Sequence, residues 1–474
     1  MKTPLAIVCF TAGLLAAAVV FLASRSPSAA GKHAQPLSAP QVTADAELQE
    51  TLPVPGASWT RRVQPSGSLI APAQHLDADG RLKFVSGLSF FKAPWIEAPA
   101  STTARDGLGP LFNAHACISC HKNGSRSASP LDDPKSPAAI VRVRVPAAEG
   151  GWQPHPLYGS QLQTRSSFID GAEAEVTASF SVVSMALPDG TVKTLRKPQL
   201  EVQMRQADAW QEGMTLSWRT APALIGMGLL EAIPTERLLA LADADDADGD
   251  GISGRIHWRD TTSGGRAPGR FGWKAKFPTV AEQTGSAFSE DMGITNPHFP
   301  TSTCTERQTR CLSQSSGNDP VEGLEITSDL FDYVVFMVRH IPPPAAGKLT
   351  PTVARGRTLF EDVGCAGCHT PSHETEAGTI WPYTDLLLHD LGAELAEAHS
   401  EGEADGREWR TPPLWGIGTQ KTVAGHTTLL HDGRARNVTE AVLWHGGEAA
   451  QAADRFKELP AEDRAAVVKF VNAL

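Results

Sequence analysis

The sequence predicts a mainly α chain built from two related domains, the first carrying a β-containing insertion. Three observations lead there. A Cys-x-x-Cys-His motif occurs twice, at Cys117, Cys120, His121 and at Cys365, Cys368, His369. The segments around the two motifs recur in the same order along the chain. Between the motifs lie stretches that alternate apolar and polar residues, the period of a strand and not of a helix.

The 474 residues suffice for two or three domains with full cores. The formal net charge of -11 is spread along the chain, with no basic patch of the kind that binds nucleic acid. Met-Lys at the start precedes an apolar run from Leu5 to Ala23, and Ser28-Ala29-Ala30 follows. This pattern reads as an export signal cleaved after Ala30, or as an uncleaved membrane anchor. Cys9 lies inside the apolar run and reads as a filler residue. The organisation expected is then a signal or anchor at 1–30 and a linker rich in Ala, Pro, Ser and Gln at 31–58. The first domain would span 59–344, with its insertion at about 122–215, and the second 345–474.

The repeated motif carries the chemistry. On a helix, positions i, i+3 and i+4 share one side. Two thiols and an imidazole so placed can converge on a single porphyrin, each thiol adding to a vinyl group and the His reaching the iron. A bare Cys-x-x-Cys would equally suit a redox dithiol or half a zinc site; the trailing His selects covalent haem c. Two such sites behind an export signal fit a periplasmic protein with two covalently bound haem c groups, held by Cys117, Cys120, Cys365 and Cys368 and ligated by His121 and His369. The domains are therefore expected to be cytochrome c-like.

The repeat extends beyond the motifs. Leu111-Phe112 precedes the first and Leu359-Phe360 the second. Arg219-Thr-Ala-Pro-Ala-Leu-Ile-Gly matches Arg410-Thr-Pro-Pro-Leu-Trp-Gly. Trp273 leads to Val280 and Glu282 as His431 leads to Val438 and Glu440. Ala461 to Leu474 has helical apolar spacing and reads as a closing helix.

In the insertion, Ala138 to Val145 reads as a strand, and Glu175 to Met204 as a hairpin turning at Pro188-Asp-Gly. Cys304 and Cys311 lie seven apart in a polar loop, the simplest arrangement for a disulfide in an oxidising compartment. Asp246, Asp248 and Asp250 have the spacing of a calcium loop, although His257 stands where the closing Glu would be. The other reading is a solvated acidic turn.

Long stretches of the chain resemble the di-haem oxidoreductase family, whose names include peroxidase and thiol oxidoreductase. That family is similar in turn to bacterial di-haem cytochrome c peroxidases and MauG-type enzymes. The resemblance runs from about Gly107 to Leu474. It is carried by Gly107-Leu-Gly-Pro-Leu-Phe-Asn-Ala, Tyr158-Gly-Ser-Gln-Leu-Gln, Gly226-Met-Gly-Leu-Leu-Glu-Ala-Ile-Pro, Met292-Gly-Ile-Thr, Tyr383-Thr-Asp-Leu-Leu-Leu-His-Asp and Trp409-Arg-Thr-Pro-Pro-Leu-Trp-Gly.

The resemblance implies roles. Trp273, ten residues before Gln283, would relay electrons between the haems, or simply pack on a porphyrin. Asp291, where the peroxidases have a Glu, would serve as general acid–base for peroxide, with Glu290 as a substitute; otherwise Asp291 is a helix cap or a surface acid. His445 occupies the position of a Met ligand, and no Met follows Met337. It would make the second haem bis-His and low in potential, or else hydrogen-bond a propionate. His155 would be a loop residue or the sixth ligand of the first haem, and Met292 a packing residue or a ligand. A calcium between the domains would lie near Thr220 and His426 to Thr428.

The implied function is a periplasmic peroxidase-like oxidoreductase. It would reduce peroxide at the first haem with electrons from a small donor such as a cytochrome or cupredoxin. The alternatives are a non-catalytic electron-transfer cytochrome, or an oxidoreductase acting on thiols or on a partner protein.

Overall fold

A computed structural model describes residues 51–61, 67–133, 136, 139–168, 171–206, 210–261 and 264–474. The expected signal or anchor at 1–30, and the linker as far as residue 50, lie outside the described residues. Residues 51–58, expected in the linker, are packed against the fold. Thr51 bridges Lys348, Leu52 is buried, and Ala57–Trp59 form a helical turn. Residues 49–474 form one compact unit.

The expectation of a mainly α fold is overturned. The described residues are 30% helical and 19% strand, with many small sheets, so neither class describes them. Much of the strand lies in pieces of two or three residues that pair distant loops. Leu111–Phe112 pairs with Arg165–Ser166, for example, and Leu388–Asp390 with Glu408–Arg410.

Two helix crossings organise the apolar interior. Helix α1 (Ala78–Lys92) starts at Asp77, whose Oδ1 accepts from the Gly80 amide at 2.8 Å. It packs on α2 (Ser328–Arg339). Helix α3 (Pro351–Asp362) starts at Thr350 with Pro351 in its first turn. It packs on α4 (Ala461–Val471), the expected closing helix. A large cluster around Phe84, Phe91, Phe288 and Phe331 surrounds the first crossing. A second, around Phe360, Phe456 and Phe470, surrounds the other.

The two crossings share a device. A Cβ on Gly87 would overlap the Tyr333 carbonyl, and one on Gly356 would overlap the Ala466 carbonyl. Each glycine lets its helix touch the partner's backbone, and each is followed four residues later by a buried Phe, Phe91 or Phe360. This corrects the register of the repeat. Leu359-Phe360 corresponds to Phe90-Phe91 on α1, not to Leu111-Phe112, which is a short strand. A Gly356→Ala protein should lose about 1–3 kcal/mol of stability from overpacking. Helix propensity alone would raise stability by roughly 0.5–1 kcal/mol. The urea midpoint therefore decides by its sign.

Other parts of the repeat hold. Thr279 and Asn437 cap the helices Val280–Ser286 and Val438–Trp444, accepting from the amides of Glu282 and Glu440. Gly226 and Gly416 both have positive φ, 69° and 74°. Each lies against the other copy, since a Cβ on Gly226 would strike Trp415 and one on Gly416 would strike Ile225.

The insertion is β as expected. Strand β1 (Ile140–Pro146) is central to a small antiparallel sheet, pairing with β2 (Gln161–Leu162) and with β5 (Thr215–Arg219). Strands β3 (Ala174–Ala186) and β4 (Val192–Met204) form a hairpin with register Ala174↔Met204 to Ala186↔Val192. Gly190, at φ 82°, makes its turn. The hairpin reaches the second cluster, where Leu187 and Leu195 are buried. Arg196 fastens it by pairing with Asp132 at 2.6 Å and donating to the Arg434 and Gly433 carbonyls at 3.1 and 3.2 Å. Asp189 pairs with Arg464 of α4. Cys304 and Cys311 are disulfide-bonded, with Cα atoms 5.8 Å apart.

Candidate functional site

Each Cys-x-x-Cys-His motif forms a turn of helix at the wall of a cavity. Cys117–Cys120 is one such turn, with His121 immediately after it. Cys365–Gly367 is the other, followed by Cys368 and His369. All four thiols are free, and burial pushes Cys117 and Cys365 up to about 12. They are protonated thiols at pH 7, unlike the low-pKa cysteines of redox dithiols. Neither Cys304 nor Cys311 lines a cavity with them.

The two histidines are held alike. His121 donates from Nδ1 to the Pro222 carbonyl at 2.9 Å, and His369 from Nδ1 to the Tyr383 carbonyl at 2.9 Å. A carbonyl accepts only from N–H, so Nδ1 carries the proton and Nε2 keeps its lone pair. Burial lowers both to about 4, which leaves each imidazole neutral at pH 7. A Cys-x-x-Cys turn beside a neutral imidazole at the wall of a largely apolar cavity suits a haem in each case; Cys365 and Cys368 both line theirs, and of the first pair Cys117 does.

The cavities differ in their other groups. Among the described residues lining the first, His121 is the only histidine and Met227 the only methionine. His155 is not among them; it caps its own loop, accepting from the Leu157 and Tyr158 amides. Met292 is buried in the apolar cluster and does not line the cavity either.

The second cavity contains three more histidines, His389, His431 and His445. His389 is clamped between Asp385 at 2.8 Å and Glu448 at 2.7 Å, which use both ring nitrogens and raise it well above its ordinary value against the opposing effect of burial. His431 stacks on Trp409 at 3.7 Å. His445 ends the helix Val438–Trp444, and its Nδ1 donates to the Ala441 carbonyl at 2.6 Å. Its Nε2 therefore has a free lone pair, the state a ligand needs. Burial lowers it too.

Asp291 ends a π-helical turn, Ala287–Asp291, that continues the helix from Val280. Such turns often occur at functional sites. Its carboxylate accepts from Gln161 Nε2 at 2.8 Å and lines the first cavity. Burial raises it to about 6, against the Gln161 hydrogen bond and the Arg142 charge. Glu290 does not substitute. It pairs with Arg142 at 2.7 Å, and although burial opposes this, Arg142 and Lys276 hold it down at about 2.

Trp273 belongs to the walls of both cavities, together with Arg126, Arg410, Pro412, Pro413 and Ile417. The Trp273 indole donates to the Thr220 carbonyl at 2.7 Å and lies edge-on to His431 at 6.5 Å. Where the resemblance implied calcium, the Thr220 amide and hydroxyl donate directly to the His431 carbonyl at 2.7 and 3.0 Å. His426 Nε2 donates to the Arg126 carbonyl at 3.1 Å. In the acidic turn the carboxylates that converge are those of Asp243, Asp246 and Asp248. Asp250 accepts from the Ile252 amide instead.

The sequence reading missed Arg126, Arg410, Gln161 and the Asp385–His389–Glu448 triad. Asp385, His389 and Arg410 lie within stretches already singled out, but nothing in their spacing reveals what they face.

A model described as "Di-haem oxidoreductase, putative peroxidase" matches residues 145–474. No curated protein matches. One solved structure that does is Kuenenia stuttgartiensis hydrazine synthase pressurised with 20 bar xenon. The likeness is 13% identity over 88% of this chain and 97% of that one, with a TM-score of 0.33.

Proposed function

The chain belongs to the di-haem oxidoreductase family, and from that premise we propose that it is an exported enzyme that reduces peroxide at its first haem with electrons passed through its second. The observation that carries this reading is the asymmetry of the two cavities. Both have a Cys-x-x-Cys-His turn and both border Trp273, but only the second offers a further histidine with a free ring nitrogen.

In this reading Cys117 and Cys120 hold one porphyrin and Cys365 and Cys368 the other, through thioethers, with His121 and His369 as the near-side ligands. His445 would supply the second iron with a further nitrogen, and the first cavity offers no such histidine among its described lining residues. A porphyrin iron with an open face supplies one-electron redox chemistry, by which hydrogen peroxide, two protons and two electrons become two waters.

The chain's own groups manage the protons. Asp291, poised at about 6, is mostly carboxylate at pH 7. It takes the proton from the near peroxide oxygen and returns it to the departing one, the work of a general acid–base. Gln161 holds the carboxylate oriented through its 2.8 Å hydrogen bond. Trp273, bordering both cavities, lies where an electron would pass. A small donor protein, a cytochrome or a cupredoxin, would reload the second haem.

The purified ferric protein should contain two irons per chain that survive extraction in acidified acetone. One should give a high-spin EPR signal and the other a low-spin signal. Low-spin signals alone would move the chain to the electron-carrier reading.

A further inference from the structure

Arg126 and Arg410 are the charged residues shared by the walls of both cavities, and among the described residues neither is in an ion pair. Both guanidinium groups border both cavities. Among the described residues neither has a carboxylate within ion-pair distance, unlike some other buried arginines. Arg219, for example, is held by Glu397 and Glu401, each at 2.6 Å. The carboxylates nearest in influence are already committed. Asp432 pairs with Arg434 at 2.7 Å, and Asp385 with His389 at 2.8 Å.

The hydrogen bonds tell the same story. Arg126 Nη2 donates to the Leu430 carbonyl at 2.6 Å. Arg410 donates from Nε to the Gly272 carbonyl at 2.9 Å and from Nη1 to the Thr411 carbonyl at 3.0 Å. Most donors of both guanidiniums are left over. Burial, and then Arg410, pushes Arg126 down to about 10; burial pushes Arg410 down to about 10 as well. Guanidinium does not shed its proton in proteins. Two guanidinium charges sharing one low-dielectric wall without a paired carboxylate are costly to bury. The fold keeps them, so an anion belongs between them.

We propose that Arg126 and Arg410 form one clamp for the carboxylates of both porphyrins, so that a propionate edge of each haem turns toward the shared wall at Trp273. This rests on the reading that the two cavities hold haems. Planar guanidinium suits the task, since it can grip a carboxylate through two parallel hydrogen bonds. The same residues then set two redox centres at once, because each positive charge faces both irons and disfavours the ferric state.

The test uses exported holoprotein with Arg126→Gln, Arg410→Gln and the matching Lys variants, titrated with optical detection. Each Gln variant should favour the ferric state of both haems by about tenfold, a fall of ~59 mV in both midpoints. The Lys variants should keep both midpoints near wild type. A Gln variant that shifts one midpoint, or neither, overturns the shared clamp.

A second measurement uses the wild type alone and does not depend on any variant folding. In resonance Raman spectra, the propionate bending bands should hold their positions down to about pH 4, where unpaired carboxyls are already protonating. Bands that titrate like free carboxyls overturn the proposal. Porphyrin is counted first, as pyridine haemochrome. Fewer than two per wild-type chain removes the haem reading, and the clamp with it, before any potential is measured.

Discussion

Replacing His445 by Met raises the midpoint potential of one haem by on the order of 0.2 V, within the roughly 0.8 V that axial ligands command. A thioether favours Fe(II), whereas imidazole favours Fe(III) less weakly. The geometry allows the exchange. His445 is the histidine of the second cavity that has neither a carboxylate clamp nor an aromatic stack, and its free Nε2 faces no competing partner in the fold. Met is unbranched and adaptable, so it can reach where imidazole reached. The ferric variant should also gain the near-infrared charge-transfer band of Met–Fe ligation. If spectrum and potential both stay as they were, His445 is not in the coordination sphere.

Asp291→Asn should lower peroxide turnover by about 10²–10⁴-fold; losing its negative charge should raise the midpoint of the first haem and leave that of the second nearly unchanged. The amide is close in size and keeps a hydrogen bond from Gln161, but it cannot accept the peroxide proton. The wild-type pH profile gives the sign. The active form is the carboxylate, so kcat/KM should fall as pH drops through about 6, the value to which burial raises this group. In the variant that acid limb should vanish from what activity remains. A profile that keeps the limb would assign it to another group, and full turnover would end the catalytic role.

The legible parts of this molecule are local. The two Cys-x-x-Cys-His turns follow from a spacing of three and four residues, and the β3–β4 hairpin from alternation around Pro188-Asp-Gly. The closing helix α4 follows from its period. What failed to show is what the chain assembles from afar. Leu388–Asp390 pairs with Glu408–Arg410 over too few residues to show a pattern, and such pieces add to the strands of the insertion in overturning the mainly α expectation.

The repeat was visible but misregistered, because Leu-Phe is a weak marker. The stronger marker, Gly87 with Phe91 and Gly356 with Phe360, needs the helix crossings to give it meaning. Asp291 and Trp273 were named by resemblance, and the fold places both at the first cavity. Arg126 and Arg410 stand far apart in the chain, and only the closed fold reveals that they share a wall.

The β3–β4 hairpin has a consequence for how the chain is made. Leu187 and Leu195 belong to the same apolar cluster as Phe456 and Phe470, which are synthesised long after them. At translation rates of about 5–20 residues per second, the finger waits roughly 15–55 s for its berth. During that interval its leucines lack these partners and are open to contacts with other chains. Truncation after the first half should leave this finger permanently undocked, a sticky edge ready to join its own kind.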